Sequence, residues 1–423
     1  MIQLIRGFKD ILPGEGELWQ HIEKTAVALF EAYGFSEIRL PLLEKSELFA
    51  RSIGEDTDIV EKEMYTFPDR KGDLVTLRPE ATASIVRSYI QHKLYAQDPV
   101  QKFYTIGPMF RRERPQKGRY RQFYQINAEV LGVDSPLIDA QLIFMLVTLF
   151  SRLAVKDVEV HLNSLGCPAC RPEFKTALSG FLIGLKEKLC ADCVRRSDRN
   201  PLRVLDCKVP SCREALTGAP SLLDFLCTDC KTHFQTVQDA LRRLEISFTI
   251  NSRLVRGLDY YTRTTFEIQT RSLGAQNAIA GGGRYDGLIQ LLGGPDMPAI
   301  GFAIGFDRLV EVAGLDRCDF INKPDVFVAA LGAKSMQAAF DWSCALGLAG
   351  VTAEMDLTGK SLKSLMKRAD RLGAAYVLIV GADELEKGEV LLRNMATKEQ
   401  TAVPLTGIVE KVAVIVRSGR RPL

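Results

Sequence analysis

The sequence predicts a mixed α/β (α+β) fold in more than one domain, and three observations carry that expectation. Residues 103–130 read as a β-hairpin with a long basic loop. Between about 167 and 247 the texture changes: cysteine pairs, charged helical stretches and Pro201, Pro210 and Pro220 mark a mainly helical insertion. Beyond Pro324, short β-rich runs flank a basic helix, as in a small α/β domain. A length of 423 residues suits two or three domains, and 46% hydrophobic residues supply a sizeable core.

Taken in order, 15–33 is an amphipathic helix with Leu18, Ile22, Ala26, Leu29 or Phe30, and Tyr33 on one stripe, stopped by Gly34. Residues 35–44 read as a strand, with Pro41 marking an edge or a boundary. Leu74, Thr76 and Arg78 form another, and Pro79 suits the first position of a following helix. Glu80 and Thr82 then fall at that helix start, where a carboxylate favours the macrodipole; a plain capped helix explains them equally well.

The hairpin is the most informative stretch. On its returning strand Tyr124, Ile126, Ala128 and Val130 share an apolar face, while Gln125, Asn127 and Glu129 share the other. On the outgoing strand Arg111 and Glu113 have the parity of Gly107 and Met109. A polar sheet face is ordinarily solvated. Here the loop gathers Arg112, Arg114, Lys117, Arg119 and Arg121, and guanidiniums suit phosphate. An anion-binding loop beside a carboxylate-lined floor suggests a substrate carrying both charges, such as an amino acid meeting a nucleotide.

Further on, 137–153 is an apolar helix and 157–166 a strand. Thr264, Phe266 and Ile268 alternate as a strand, preceded by Arg256, Tyr260 and Tyr261. Gly281, Gly282 and Gly283 permit close backbone approach to a ligand. Gly301, Ala303 and Gly305 allow a strand–helix unit to pack closely, with Arg308 near the helix start. No segment matches GxxxxGK[ST]. In the C-terminal part, 326–331, 351–356 and 375–381 are β-rich. The helix between the last two carries Lys363, Lys367, Arg368 and Arg371, with Lys360 just ahead, a run that usually means a solvated face.

Net charge is close to balance, +3 from 55 Lys+Arg and 52 Asp+Glu, so a nucleic-acid partner would have to be met by local patches. The N-terminus has no apolar stretch fit for a signal peptide, and no run approaches the roughly 20 apolar residues of a membrane helix. A cytoplasmic protein without membrane contact is expected, its ten cysteines reduced or metal-bound. Cys167/Cys170 and Cys190/Cys193 have zinc-ribbon-like spacing, with Cys207, Cys212, Cys227 and Cys230 as a looser second set. Small buried hydrophobes in a reduced compartment are the alternative.

The segment FRRERPQKGRYRQF resembles motif 2 of class II aminoacyl-tRNA synthetases. The helix–strand–Pro unit at 15–44 resembles motif 1, and AIGFAIGFDRLVEVAG motif 3. LVRGLDYY and AIAGGGRYDGLI resemble the two histidine-specific motifs of the histidyl-tRNA synthetase family, in class IIa. The motifs fall in the family's order, and the resemblance covers nearly the whole chain. It implies an antiparallel catalytic sheet flanked by helices in 1–165 and 248–321, an insertion at 166–247, and an α/β anticodon-binding domain at 325–423.

The resemblance also implies ATP-dependent activation of L-histidine and transfer to histidine tRNA by a homodimer, with Mg²⁺ accompanying ATP. Glu80, Thr82 and Gln125 would hold the α-amino group; Glu129, Tyr260 and Tyr261 would line the imidazole pocket. Arg111, Glu113, Arg119 and Arg308 would meet ATP. Arg256, with Arg111, would stabilise charge at the α-phosphate. The family does not depend on zinc in the insertion, which leaves the cysteines open. A regulatory paralogue, a subunit of ATP phosphoribosyltransferase in histidine biosynthesis, shares the fold but departs at the phosphate-binding and histidine motifs. Retention of Arg111, Glu113, Arg119, Arg256, Arg308 and a full C-terminal domain favours the synthetase. A zinc-stabilised nucleic-acid-binding protein would leave the ordered motifs unexplained.

Overall fold

The computed structural model describes residues 1–54, 57–116, 118–273 and 277–419; Lys117 of the basic loop lies outside the described residues. The chain forms two compact units, Met1–Asp319 and Phe320–Leu423. Among the described residues no helix is long and apolar enough to cross a membrane.

The first unit is built on an eight-stranded sheet. Its order is Ser36–Glu37, Gln101–Phe110, Gln122–Leu131, Ala299–Gly305, Ala278–Arg284, Thr262–Thr270, Val158–Ser164 and Thr249–Ile250. The six central strands run antiparallel to their neighbours, and only the two short edge strands pair parallel. The hairpin is as expected, paired from Gln101↔Leu131 to Phe110↔Gln122 around the loop at 111–121.

Helix Gly16–Ala32 buries Leu18, Trp19, Ile22, Ala26, Leu29 and Phe30, the stripe its periodicity indicates. Trp19 packs on Phe306 and Tyr124, with ring centroids 4.2 and 5.2 Å away. The helix closes where Gly34 turns left-handed at φ +78°, so that the Phe35 amide donates to the Phe30 carbonyl.

Three local expectations are corrected. Residues 35–44 do not make one strand: Ser36–Glu37 joins the large sheet, and Leu43–Lys45 joins a three-stranded sheet with Leu74–Leu77 and Tyr65–Pro68. Pro41, which has no N–H to donate, falls at the break. The strand at Leu74–Leu77 ends before Arg78, whose buried guanidinium donates to the carbonyls of Pro108 and Leu40. The next helix starts at Thr82, not Pro79, because Glu80 accepts from the Thr82 and Ala83 amides at 2.7 and 2.9 Å. Pro79 stays in the turn, its carbonyl accepting from Arg111 Nε.

Helix Pro136–Arg152, capped by the Ser135 hydroxyl, packs against helix Thr228–Arg243. A buried ion cluster ties both to the sheet. Arg284 and Asp139 are fully buried and paired at 2.9 Å, and His233 meets the same carboxylate at 2.8 Å. The other Arg284 donors reach the Val133 and Ser135 carbonyls. Arg284→Ala is expected to destabilise the protein by about 3–5 kcal/mol, because it removes the arginine partner of a buried carboxylate and leaves it only His233. Denaturant unfolding measures this, and a loss below about 1 kcal/mol contradicts it.

Between these helices lie Arg171–Ile183, Ala191–Arg199 and Pro210–Ala215, with a separate core of Phe174, Leu178, Leu182, Val204 and Leu222 interleaved with cysteines. The cysteine grouping by nearest sequence spacing is overturned. Cys167 and Cys170 meet Cys227 and Cys230, while Cys190 and Cys193 meet Cys207 and Cys212. The segment leaves the sheet and returns at one place, so its first and last pairs converge.

The second unit has a five-stranded mixed sheet. Ala353–Met355, Val326–Ala330 and Tyr376–Val380 are parallel, and the antiparallel hairpin Glu389–Asn394/Gln400–Pro404 extends the sheet beyond the runs legible in sequence. Helix Leu362–Leu372 follows its basic pattern. Lys363, Lys367 and Arg371 are exposed, as is Lys360, whereas Arg368 is held by Glu354 and Asp356 at 2.6 and 2.7 Å.

Candidate functional site

The site begins with strand register. Residues paired across antiparallel strands point to the same face of a sheet. Gln125 therefore shares a face with Gly305, Asn127 with Ala303, and Glu129 with Gly301. The next strand continues two of these rows, with Gly281 beside Ala303 and Gly283 beside Gly301, and Glu267 lies beyond Gly281. Three positions of Ala299–Gly305 and two of Ala278–Arg284 thus present only Gly or Ala. They clear a trough across the middle of the sheet, flanked by polar side chains from both neighbouring strands. The triple glycine lies within a strand. Its alternate members, Gly281 and Gly283, face the trough.

The trough opens into a cleft of about 950 Å³. Arg111, Glu113, Arg119, Gln125, Arg256 and Arg308 all line it, gathered from four chain segments. Arg111 is braced by its bond to the Pro79 carbonyl and lies over the Phe123 ring. Arg119 pairs with Glu113 at 3.2 Å. Arg308, two residues into helix Phe306–Val312, donates to the carbonyls of Gly118 and Ala278. Burial and the nearby Arg119 charge push its guanidinium below the ordinary arginine range.

Arg256 lies over Gly281, where any Cβ would overlap its guanidinium. Its Nη1 donates to Glu267 at 2.9 Å, and its guanidinium carbon stands 5.8 Å from the Tyr261 ring centre. The insertion supports this loop from outside: Arg203 donates to the Gly257 carbonyl and to Asp259, and Asn200 also donates to Asp259. Asp206, Lys208 and Arg213 of the insertion form one lip of the cleft.

Glu80, Thr82, Glu129, Tyr260 and Tyr261 do not line the open cleft; they form a buried polar cluster, none more than 8% exposed. Glu129 accepts from the Thr82 hydroxyl at 2.7 Å and from the Tyr285 hydroxyl at 2.6 Å. The Tyr260 ring packs on Tyr261 and Tyr285. The Gln125 side-chain carbonyl and that of Asn127 are buried without a hydrogen-bond partner, as expected of groups kept for a ligand. At Asn127 and Glu129 the polar face of the returning strand is therefore buried, and its acid is held by specific hydroxyl donors. Burial pushes the Glu129 carboxyl up to about 8, despite the bonds from Tyr285 and Thr82. Burial also raises Glu80, against the pull of the two amides that cap onto it.

A cleft lined by six arginines, beside two buried carboxyls, matches an anionic reactant meeting a polar or cationic one. Comparison with known proteins identifies the class. The family model described as histidyl-tRNA synthetase matches residues 7–168 and 187–309. The chain belongs to the histidyl-tRNA synthetase family.

An anticodon-binding-domain model matches residues 325–415, so the second unit's mixed sheet is that family's C-terminal domain. Among similar proteins, a histidine–tRNA ligase of Desulfatibacillum aliphaticivorans is 62% identical over 419 residues, 99% of this chain and all of that protein. One from Desulforapulum autotrophicum is also 62% identical, across 98% of each chain. The apo Staphylococcus aureus histidyl-tRNA synthetase superposes with a TM-score of 0.82 at 35% identity, covering 98% of this chain and all of that one. The expected antiparallel sheet flanked by helices is the fold of this histidyl-tRNA synthetase family member.

Two residues of this synthetase site were not singled out from sequence. Tyr285 lies within the quoted GGGRYDG segment, but nothing local reveals that its hydroxyl reaches Glu129, 156 positions away. Glu267 had a signal: it interrupts the apolar alternation of Phe266 and Ile268 on the opposite strand face.

The raised Glu129 carboxyl gives a signed pH dependence. Its folded pKa, about 8, exceeds the unfolded value near 4.3, so the folded state holds the proton more tightly. That contribution is fully present below the unfolded pKa and is lost as pH rises through about 8, by on the order of 5 kcal/mol. Glu129→Gln, which cannot ionise, is expected to flatten the fall in stability between pH 5 and 8 and to melt higher than wild type at pH 8. Parallel melting curves for the two proteins across that range would contradict it.

Proposed function

We propose that this chain is a histidine–tRNA ligase: it activates L-histidine with ATP to histidyl-adenylate, then transfers histidine to the 3′ end of histidine tRNA. The observation that carries the reading is the juxtaposition of an arginine-lined cleft with the buried Glu80–Thr82–Glu129 cluster. A histidine carboxylate oxygen attacks the α-phosphorus of ATP; the bond to the bridging oxygen breaks, and pyrophosphate leaves with its electron pair. No side chain forms a covalent intermediate. Catalysis is positioning and charge neutralisation.

Arg111 and Arg256 hold the α-phosphate, and Arg119 and Arg308 the outer phosphates. Glu113 closes the ATP side through its pair with Arg119. Mg²⁺ accompanying ATP would offset phosphate charge, and the carboxylates in the cleft that could meet it are Glu113 and Glu267. The α-ammonium sits against Glu80, Thr82 and Gln125. The imidazole is met by Glu129 and Tyr261, with Tyr260 packed behind. Such a pocket rejects side chains without ring nitrogens, because its buried polar groups would be left unpaired. The working enzyme is a cytoplasmic homodimer whose second unit reads the tRNA.

Pyrophosphate–ATP exchange tests the reading. Exchange that depends on histidine, and on no other amino acid, supports it. A folded chain that binds histidine but catalyses no exchange would instead be the regulatory paralogue.

A further inference from the structure

We propose that the insertion holds two structural zinc ions, one bound by Cys167, Cys170, Cys227 and Cys230, the other by Cys190, Cys193, Cys207 and Cys212. In each set all four sulfurs lie within 4.8 Å of one another. A tetrahedral Zn–S₄ centre with bonds of ~2.3 Å has edges of about 3.8 Å. The Sγ–Sγ separations of Cys167 from Cys170 and Cys227 are 3.6 and 3.9 Å, and that of Cys190 from Cys207 is 3.9 Å. An iron–sulfur cluster would hold its thiolates farther apart, because several irons and sulfides stand between them. The spacing fits one small ion per set.

Other features agree. The Cys227 amide donates to Cys170 Sγ and the Cys190 amide to Cys212 Sγ, bonds that orient and stabilise metal-bound thiolates. Arg171 directly follows Cys170 in the chain, and its positive charge favours thiolates in the first set. Cysteines that served only as small hydrophobes would be spread through the core, with no reason for eight sulfurs to converge in fours. The two sites also have distinct structural work. The first closes a segment whose ends are 60 residues apart at the sheet. The second includes Cys207, which lines the cleft beside Asp206 and Lys208, so it fixes the insertion's lip. On binding, each ion displaces the thiol protons of its set into solvent.

The test is metal analysis of the full-length chain purified without chelator, with thiol reactivity followed in parallel. Two zinc ions per chain are expected, and Cys193→Ser/Cys212→Ser is expected to retain one. In the native protein the exposed Cys318 and Cys344 should react at once with a disulfide reagent, and the other eight thiols only after chelation. If the variant fails to fold, the wild-type metal count and thiol kinetics still decide. One zinc per chain overturns the two-site assignment. Iron in place of zinc, or no metal with ten thiols reacting together, overturns the proposal entirely.

Discussion

Arg256→Ala is expected to lower histidine-dependent adenylate formation by about 10²–10³-fold, the usual loss when one preorganised transition-state donor is removed. The guanidinium is held on three sides, by Glu267, by the glycine floor at Gly281 and by the Tyr261 ring. Burial works against its charge, but Tyr261 and Glu267 outweigh that effect, so the arginine stays protonated. On the proposed reading the group is already in place, and little reorganisation would be needed as the α-phosphate becomes five-coordinate. The loss should fall on kcat more than on the KM for histidine. Fold and tRNA binding should be spared, since Glu267 retains Gln269 as a partner. Arg256→Lys should recover little, because a lysine cannot span both Glu267 and a phosphate oxygen. Exchange and single-turnover rates measure the effect; rates within threefold of wild type would take Arg256 out of the mechanism.

Gly301→Ala is expected to weaken histidine binding by about 100-fold or more and to cost about 1–3 kcal/mol of stability. A Cβ at this position would overlap the Glu129 carboxylate and lie 2.8 Å from the Ala128 carbonyl oxygen. Neither can yield cheaply. The Ala128 backbone is fixed in the sheet, and Glu129 can move only by giving up Tyr285 or Thr82. Gly305→Ala is the matched control on the same face of the same strand. A Cβ there meets Arg308 at 3.6 Å and the Ile279 carbonyl oxygen at 3.8 Å, ordinary contacts, so histidine binding should hardly change. Equilibrium histidine binding with parallel melts separates the two. A Gly301→Ala protein that binds histidine like wild type would place Glu129 outside the amino-acid pocket.

The contrast between these glycines shows where sequence reasoning works. The parity of Gln125, Asn127 and Glu129 was legible because strand period is fixed by covalent geometry. The stripe of helix Gly16–Ala32 was legible for the same kind of reason. That Gly301 must be glycine and Gly305 need not be is invisible locally, because it depends on which strand lies next and in which register. Tyr285 and the Arg284–Asp139–His233 cluster are long-range for the same reason. The cysteines mislead in the opposite direction. Nearest spacing joins Cys170 to Cys190, whereas the return of the chain to its starting point joins Cys170 to Cys227. At Pro79, a residue-type preference lost to the carboxylate of Glu80, which caps a helix that begins only at Thr82.

The packing of Trp19 has an optical consequence. The chain has two tryptophans, Trp19 in the first unit and Trp342, which packs on the core of the second. Intrinsic fluorescence therefore carries one emitter per unit. With Trp342 replaced by phenylalanine, all indole emission would come from a ring in contact with Phe306 and Tyr124, each adjoining or near a residue of the cleft, Arg308 and Gln125. The fold thus has a native chromophore behind its cationic cleft, able to report ligand entry without an attached dye.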